Sequence, residues 1–213
     1  MHNLEMNLGP TEQLTVKSYN ETAKSWAEAH GDVNFWKEEL EIFKNLFPKG
    51  RILEIGCGGG RDAELLLRAG YSYLGTDPAE KFIKVAKTRN PQAVFEVKSV
   101  DDINYPENSF DGFWASAVLL HIPKKKIDLA LGNLKKCVKL GGIGFIAIKE
   151  GEGEVIKKEE SSDGKLYKRF WALYSDKEFR NILERNKMKV RYFIYKPISK
   201  RTKWLIYFVE VFK

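Results

Sequence analysis

The residues most suited to chemistry lie in one run, Ile52-Leu-Glu-Ile-Gly56-Cys-Gly58-Gly-Gly60-Arg-Asp62, where an apolar strand breaks into glycines and then enters a helix. Glycine admits positive φ and carries no Cβ to hold a ligand away. The helix start offers unpaired N–H groups to an anionic group such as a carboxylate. One strand later, Thr76-Asp77 ends a run at the same crevice edge, where a carboxylate can accept bonds from both hydroxyls of a ribose. A glycine turn alone is equally a tight strand-to-helix connection; with Asp77 it reads as nucleoside recognition. A dinucleotide site wants glycines at the first, third and sixth positions, and here those are Gly56, Gly58 and Arg61. The arginine is too bulky for the close helix–sheet contact of that site. Cys57, inside the turn, reads as a packing residue.

The elements that must position these residues follow from periodicity. Tyr19, Ala23, Trp26 and Ala27 at helical spacing predict a helix within 18–30, and Phe35, Trp36, Leu40, Phe43 and Leu46 predict a second before Pro48. The chain then alternates: strand 51–55, helix 62–69, strand 71–76, helix 79–88, and strands 94–98 and 110–115. Such alternation implies a parallel sheet with crossover helices. A helix over 124–139 puts Ile127, Leu131, Leu134 and Val138 on one face and leaves Lys124, Lys125, Lys135, Lys136 and Lys139 for solvent. Strand 143–149 follows Gly141-Gly142. The polar, glycine-bearing segment 150–174 reads as a functional loop. Ser175-Asp-Lys-Glu178 is a capping box opening helix 177–184, and strands 189–196 and 203–212 form a terminal antiparallel hairpin.

Five stretches in this order, Glu54-x-Gly56-x-Gly58-x-Gly60, Gly75-Thr-Asp77, Ser109-Phe-Asp111-Gly, Leu119-Leu-His121-Ile-Pro123 and Leu140-Gly-Gly142, resemble the small single-domain members of the class I S-adenosylmethionine-dependent methyltransferases. The resemblance runs from about Ser18 to Lys213. It implies an α/β, three-layer Rossmann-like sandwich with a seven-stranded, mostly parallel sheet, an antiparallel last strand and two N-terminal helices. It further implies one domain over 1–213: a helical lid at 1–48, a cofactor-binding core at 49–149, a substrate loop at 150–174, and a last helix with the hairpin at 175–213. By the same resemblance the cofactor is S-adenosylmethionine and the product S-adenosylhomocysteine. Gly56, Gly58 and Gly60 approach the methionyl moiety, with Cys57 among them. Glu54 supports the turn, Asp77 with Pro78 meets the ribose, and the Ala115 carbonyl meets the methionyl amino group. The family places an Asp at the end of the third strand for the adenine amino group, and here that position is Ser99. Either Ser99 with the Val100 N–H takes the adenine, or a register slip hands the role to Asp101. Asp111 reads as structural.

Methyl transfer from a sulfonium is an in-line displacement, so the protein chiefly aligns nucleophile, methyl carbon and sulfur. His121, following the fourth strand on the crevice side, is the candidate general base or substrate-positioning group, against a purely structural role. Tyr19, Trp26, Trp36, Glu150 and Arg169 are the candidate acceptor-pocket residues, Arg169 as an anion contact. No metal is expected, because His2 and His30 complete no ligand set with Cys57 and Cys137, which are read as reduced thiols.

The net charge of +7 falls entirely in the last third: residues 151–213 carry 16 basic and 9 acidic side chains, and 185–203 hold eight basic residues and no acidic one. A small-molecule acceptor is the leading expectation, reached through an O, N or S nucleophile. The alternatives are an RNA or protein methyltransferase that uses this basic region, or a cofactor-binding protein without catalysis. The longest apolar run is six residues and no signal-peptide pattern is present, so the expectation is a cytoplasmic monomer or homodimer with no membrane partner.

Overall fold

The structure, a computed structural model, describes residues 6–160, 164, 166–200 and 202–212; His2 and Arg201 lie outside them. Helix α1 (Pro10–Ala29) begins well before the apolar spacing suggests. Pro10 stands in its first turn, and the Gly9 N–H donates to Glu12 Oε2 at 2.8 Å. Its buried positions are Glu12, Thr15, Ser18, Thr22 and Ala23, a polar inward face that leaves the first two turns without an apolar period.

Helix α2 (Lys37–Leu46) leads to β1 (Arg51–Ile55), α3 (Arg61–Arg68), β2 (Ser72–Asp77), α4 (Glu80–Arg89), β3 (Val94–Val97) and β4 (Phe110–Ser116). Helix α5 (Ile127–Cys137) passes directly into the long β5 (Val138–Lys149). That strand starts earlier than expected because Gly141, at φ +77°, and Gly142, pressed against the Asp111 carbonyl, let it bend through a bulge instead of beginning after the glycines. The chain ends with α6 (Asp176–Arg185), whose cap Ser175 Oγ accepts from the Glu178 N–H, then β8 (Met188–Pro197) and β9 (Lys203–Val211).

The seven strands order β3-β2-β1-β4-β5-β9-β8, and only β9 runs against the others. The Rossmann-like, mostly parallel architecture is therefore as expected. Helices α2, α3 and α4 cover one face over Ile52, Trp114, Phe145 and Phe208; α5 and α6 cover the other over Leu53, Phe113, Ile146 and Tyr207. Between β1 and β4 the winding reverses direction, which opens a crevice at the carboxyl ends of these strands.

Segment 150–174 is not a loop: β6 (Glu154–Glu160) and β7 (Leu166–Ala172) pair antiparallel as a separate hairpin. Residues 154–158 of β6 are solvated on both faces, so no alternation marks it, while β7 places Arg169 at a buried position. Helix α1 lies against α4 and β7, so the hairpin and α1 close over the sheet's carboxyl edge together.

Phe145 is fully buried, stacked on Trp114 with ring centres 3.7 Å apart and flanked by Trp36 and Phe208. Phe145→Ala is expected to remove about 3–5 kcal/mol of stability, read as a lowered urea midpoint with an unchanged m-value.

Candidate cofactor and acceptor site

A cavity of about 540 Å³ opens along the carboxyl ends of β1, β2, β4 and β5. Of the three glycines singled out in the turn, Gly56 and Gly58 shape its floor, for different reasons. At Gly58, φ is +51° and an added Cβ would meet nothing within 4 Å, so this turn faces open space. Gly56, at φ +66°, has the Val118 side chain where a Cβ would stand, 2.4 Å away. Gly60 does not line the cavity: it caps α3 in left-handed geometry and packs on α4, where Asn90 Nδ2 donates to its carbonyl at 2.8 Å.

Three buried carboxylates surround the turn. Asp77 Oδ2 accepts from the Gly58 N–H at 3.0 Å and Oδ1 from the Ala79 N–H at 2.8 Å; burial pushes its carboxyl up to about 6 against those two bonds. Glu54 accepts from the Tyr73 hydroxyl, and burial, reinforced by Asp62, holds it well above the usual carboxylate range. Asp62 accepts from Trp114 Nε1 at 3.0 Å and pairs with Arg61 Nε at 2.5 Å. Tyr73 reaches Glu54 only because residue 75, on the same face of β2, is glycine: an added Cβ there would sit 2.2 Å from the Tyr73 hydroxyl. Such a ring of acids suits a cationic ligand and repels a pyrophosphate.

At the end of β3, Ser99, Val100 and Asp101 all line the cavity. Ser99 Oγ donates to Asp102 Oδ2 at 2.6 Å. Asp101 Oδ2 pairs with Lys126 Nζ at 2.6 Å, while its Oδ1 is buried with no hydrogen-bond partner among the described residues. Lys126 Nζ also holds Glu12 Oε2 at 2.8 Å, which ties α1 to this turn.

At the opposite end, His121 Nδ1 lies 2.7 Å from the Phe170 carbonyl, an acceptor only, so Nδ1 carries the proton and Nε2 presents a lone pair. The Tyr19 hydroxyl donates to that lone pair at 2.8 Å. Burial pushes the imidazole down to about 4, outweighing the Phe170 bond, so His121 is neutral at physiological pH. Tyr19, Trp26, Trp36, Cys57, Pro78 and His121 line the cavity, as the sequence suggests. Trp36 is fixed by its Nε1 bond to Ser116 Oγ at 2.8 Å.

Besides Gly60, three candidates lie off the cavity: Ala115, Glu150 and Arg169. Ala115 is inside β4, and the wall there is Ser116, Ala117 and Val118. Glu150 bonds the Tyr195 hydroxyl and Lys203. Arg169 is buried behind the wall, its guanidinium 4.3 Å from the Tyr19 ring centre and 4.2 Å from that of Trp26, donating to Thr22 Oγ1. It braces those rings where an anion contact was expected. Lys149 and Trp171, from the two stretches after the fifth strand in which the sequence points to part of the acceptor pocket, line the His121 end of the cavity together with Trp204, which sequence reasoning missed. Lys149 closes an apolar strand at the crevice edge, a position of the same kind as Asp77.

Several charges of the basic stretch are paired: Arg185 with Asp128, Arg191 with Glu210, Lys196 with Glu39 and Lys203 with Glu150. Among the described residues no helix is long and apolar enough to cross a membrane.

Comparison with known proteins agrees with this geometry. Residues 53–146 match the family model described as a methyltransferase domain. An uncharacterized protein of Methanocaldococcus jannaschii is 30% identical over 154 residues, 70% of this chain and 69% of the relative. The ubiquinone biosynthesis O-methyltransferase of Agrobacterium fabrum is 33% identical over 101 residues, 46% of this chain, which spans only 40% of that relative. Among solved structures, the Burkholderia thailandensis 1,6-didemethyltoxoflavin-N1-methyltransferase with bound 1,6-didemethyltoxoflavin and S-adenosylhomocysteine superposes with a TM-score of 0.72 at 16% identity, over 99% of this chain and 94% of that one.

The His121 environment is directly measurable. Nitrogen NMR is expected to report the Nδ1-protonated tautomer and a single titration near pH 4; a midpoint near the ordinary histidine value of about 6.5 would contradict the buried Tyr19–His121–Phe170 arrangement.

Proposed function

The chain belongs to the class I S-adenosylmethionine-dependent methyltransferases, and from that premise we propose that it methylates an O, N or S nucleophile of a small-molecule acceptor. The observation that carries this reading is the continuity of one cavity from the acid-ringed glycine turn to the neutral His121 imidazole. A cavity closed over by α1 and β7 suits a small acceptor better than a polymer.

The residues at the turn fit S-adenosylmethionine, which when bound supplies a methyl group on a positively charged sulfonium. Gly58 leaves open space, the acids favour positive charge, and Asp101 has a buried oxygen awaiting a donor. In this reading Asp77 accepts the ribose hydroxyls with the lone pairs that Gly58 and Ala79 leave over, and Pro78 packs beside it. Glu54, backed by Asp62, stabilises the cationic methionyl end. Asp101 Oδ1 accepts from the adenine amino group, while Ser99 holds the turn through Asp102 and the Val100 N–H serves the ring. His121 Nε2, now bonded to Tyr19, takes the proton of an acceptor hydroxyl, thiol or amine that replaces Tyr19 there. Orientation can contribute roughly 7–11 kcal/mol to such a reaction, and a positioned base about 10²- to 10⁴-fold more. Trp26 and Trp36 are walls of the acceptor space, and Arg169 is a positioning residue beneath Tyr19 and Trp26.

Incubating the purified protein with S-adenosylmethionine and a fractionated small-metabolite extract is expected to release S-adenosylhomocysteine and leave a methylated product in one fraction. Release only with bulk RNA or protein would replace the small-molecule reading.

Asp77 gives the second test. Its carboxyl, raised to about 6, gains a proton as pH falls through that value and loses acceptor capacity, so S-adenosylhomocysteine affinity is expected to be constant from pH 7 to 8 and to fall below pH 6. Asp77→Ala should weaken binding at pH 8 by roughly 30-fold or more, since charge-assisted bonds are lost, and remove the step near pH 6. Calorimetric titration across pH measures both.

A further inference from the structure

Helix α1 and the turn after β3 meet over two buried carboxylates that share one ammonium. Lys126 Nζ takes Glu12 Oε2 at 2.8 Å and Asp101 Oδ2 at 2.6 Å, and its third contact is the Asn7 carbonyl at 3.3 Å. An ammonium has three N–H groups, so these partners exhaust it. The Glu12 and Asp101 side chains are 4% and 1% exposed, and Glu12 Oε1 and Asp101 Oδ1 are buried with no hydrogen-bond partner among the described residues. Two carboxylates thus face one cation out of water, and two acceptors lack donors. Unpaired buried acceptors are costly, and both of these belong to residues that line the ligand cavity.

The neighbours decide what kind of donor fits. Leu8 and Val16, on either side of Glu12 along the chain, and Val100, beside Asp101, line the same cavity with apolar side chains. A full cation there meets an apolar wall and the like charge of Lys126. A flat heterocycle that carries an amino group meets neither obstacle, and its one nitrogen has two N–H bonds, a donor for each acid. Position agrees with this. Seven residues of helix, about 10 Å, separate Glu12 from Tyr19 on one face of α1, and Tyr19 bonds His121. Val16 and Tyr19 pack against the cluster that holds Ala79, whose N–H bonds the Asp77 carboxylate. An adenosine laid along α1 therefore has its amino group at Glu12, its ribose at Asp77 and its 5′ end toward His121.

Resting on the S-adenosylmethionine reading above, we propose that Glu12 is a second acceptor for the exocyclic amino group of the adenine, opposite Asp101, so that helix α1 itself reads the base of the cofactor. Each carboxylate takes one amino N–H, and Lys126 holds the pair in place through their other oxygens. Glu12 is thus a specificity-determining residue: a purine with a carbonyl oxygen in place of the amino group turns an acceptor toward both acids.

The test is calorimetry on the full chain with two probes, S-adenosylhomocysteine and its deaminated analogue S-inosylhomocysteine. The unmodified protein is expected to bind the first about a hundredfold tighter. Glu12→Gln keeps the shape of the side chain and an oxygen for the Gly9 N–H and Lys126, and it puts a donating amide where Oε1 stood. It should weaken S-adenosylhomocysteine, tighten S-inosylhomocysteine, and so narrow the preference by about tenfold or more. Equal weakening of both ligands marks Glu12 as merely structural and overturns the proposal, as does a variant that retains the full preference. Should Glu12→Gln not fold, S-adenosylhomocysteine labelled with nitrogen-15 at the amino group decides on the unmodified protein. Two downfield, exchange-protected amino proton resonances are expected in the bound state, and one such resonance beside one at the free-ligand position overturns the proposal. Equal binding of the two probes by the unmodified protein overturns it and leaves the methyltransferase reading standing. Binding of neither removes the reading on which it rests, and the proposal with it.

Discussion

The bond from the Gly58 N–H to the buried Asp77 carboxylate joins the two strand ends that make the site. Its oxygen partner, bonded to the Ala79 N–H, sets the start of α4, so one side chain fixes the glycine turn after β1 and the entry to the helix after β2. The arrangement works only because neighbouring choices agree with it. Gly58 accepts positive φ, Gly60 lets α3 approach α4, and Gly75 clears the path by which Tyr73 reaches Glu54. Burying Asp77 costs solvation, visible in its raised proton affinity, and two backbone donors offset part of that cost.

What was legible in the sequence is what local rules dictate. The alternation of apolar strands with amphipathic helices, the glycine turn and Asp77 follow from backbone sterics and periodicity, and β1 through α4 lie where those rules put them. What was not legible depends on burial of polar groups. The inward face of α1 is glutamate, threonine and serine, so its first two turns carry no apolar stripe. Strand β7 hides Arg169 between α1 and the sheet edge, against the usual exposure of arginine. Lys124 and Lys139 read as solvated, yet Lys124 bonds Glu178 and Lys139 bonds Asp111, while Lys126 between them bonds Glu12 and Asp101. Composition cannot distinguish a lysine with an assigned carboxylate from one in water, because the partner lies in a distant segment.

The same long-range pairing explains how the cover is attached. Helix α1 is bound to the turn after β3 through Glu12 and Lys126, to His121 through Tyr19, and to the hairpin through Thr15, whose Oγ1 accepts from the Phe170 N–H. These polar ties supplement an apolar seam in which Val16, Tyr19, Ala23 and Trp26 of α1 pack with Ala79, Phe82 and Val85 at α4.

Electrostatics divides the cavity along the direction in which a methyl group would travel. Three buried acids, Glu54, Asp62 and Asp77, gather around the glycine turn, with Glu54 pushed toward its neutral form by burial and by Asp62; the far end has a neutral imidazole and a lysine. A sulfonium is a cation before transfer and a neutral thioether afterwards, so the acid end holds the reactant more strongly than the product. The acceptor changes in the opposite sense, from a group that must give up a proton to one that no longer can. A protonated His121 imidazole would offer no lone pair and would place a second positive charge beside Lys149. Burial against Trp171, with the Nδ1 proton committed to the Phe170 carbonyl, secures the neutral form across the physiological range.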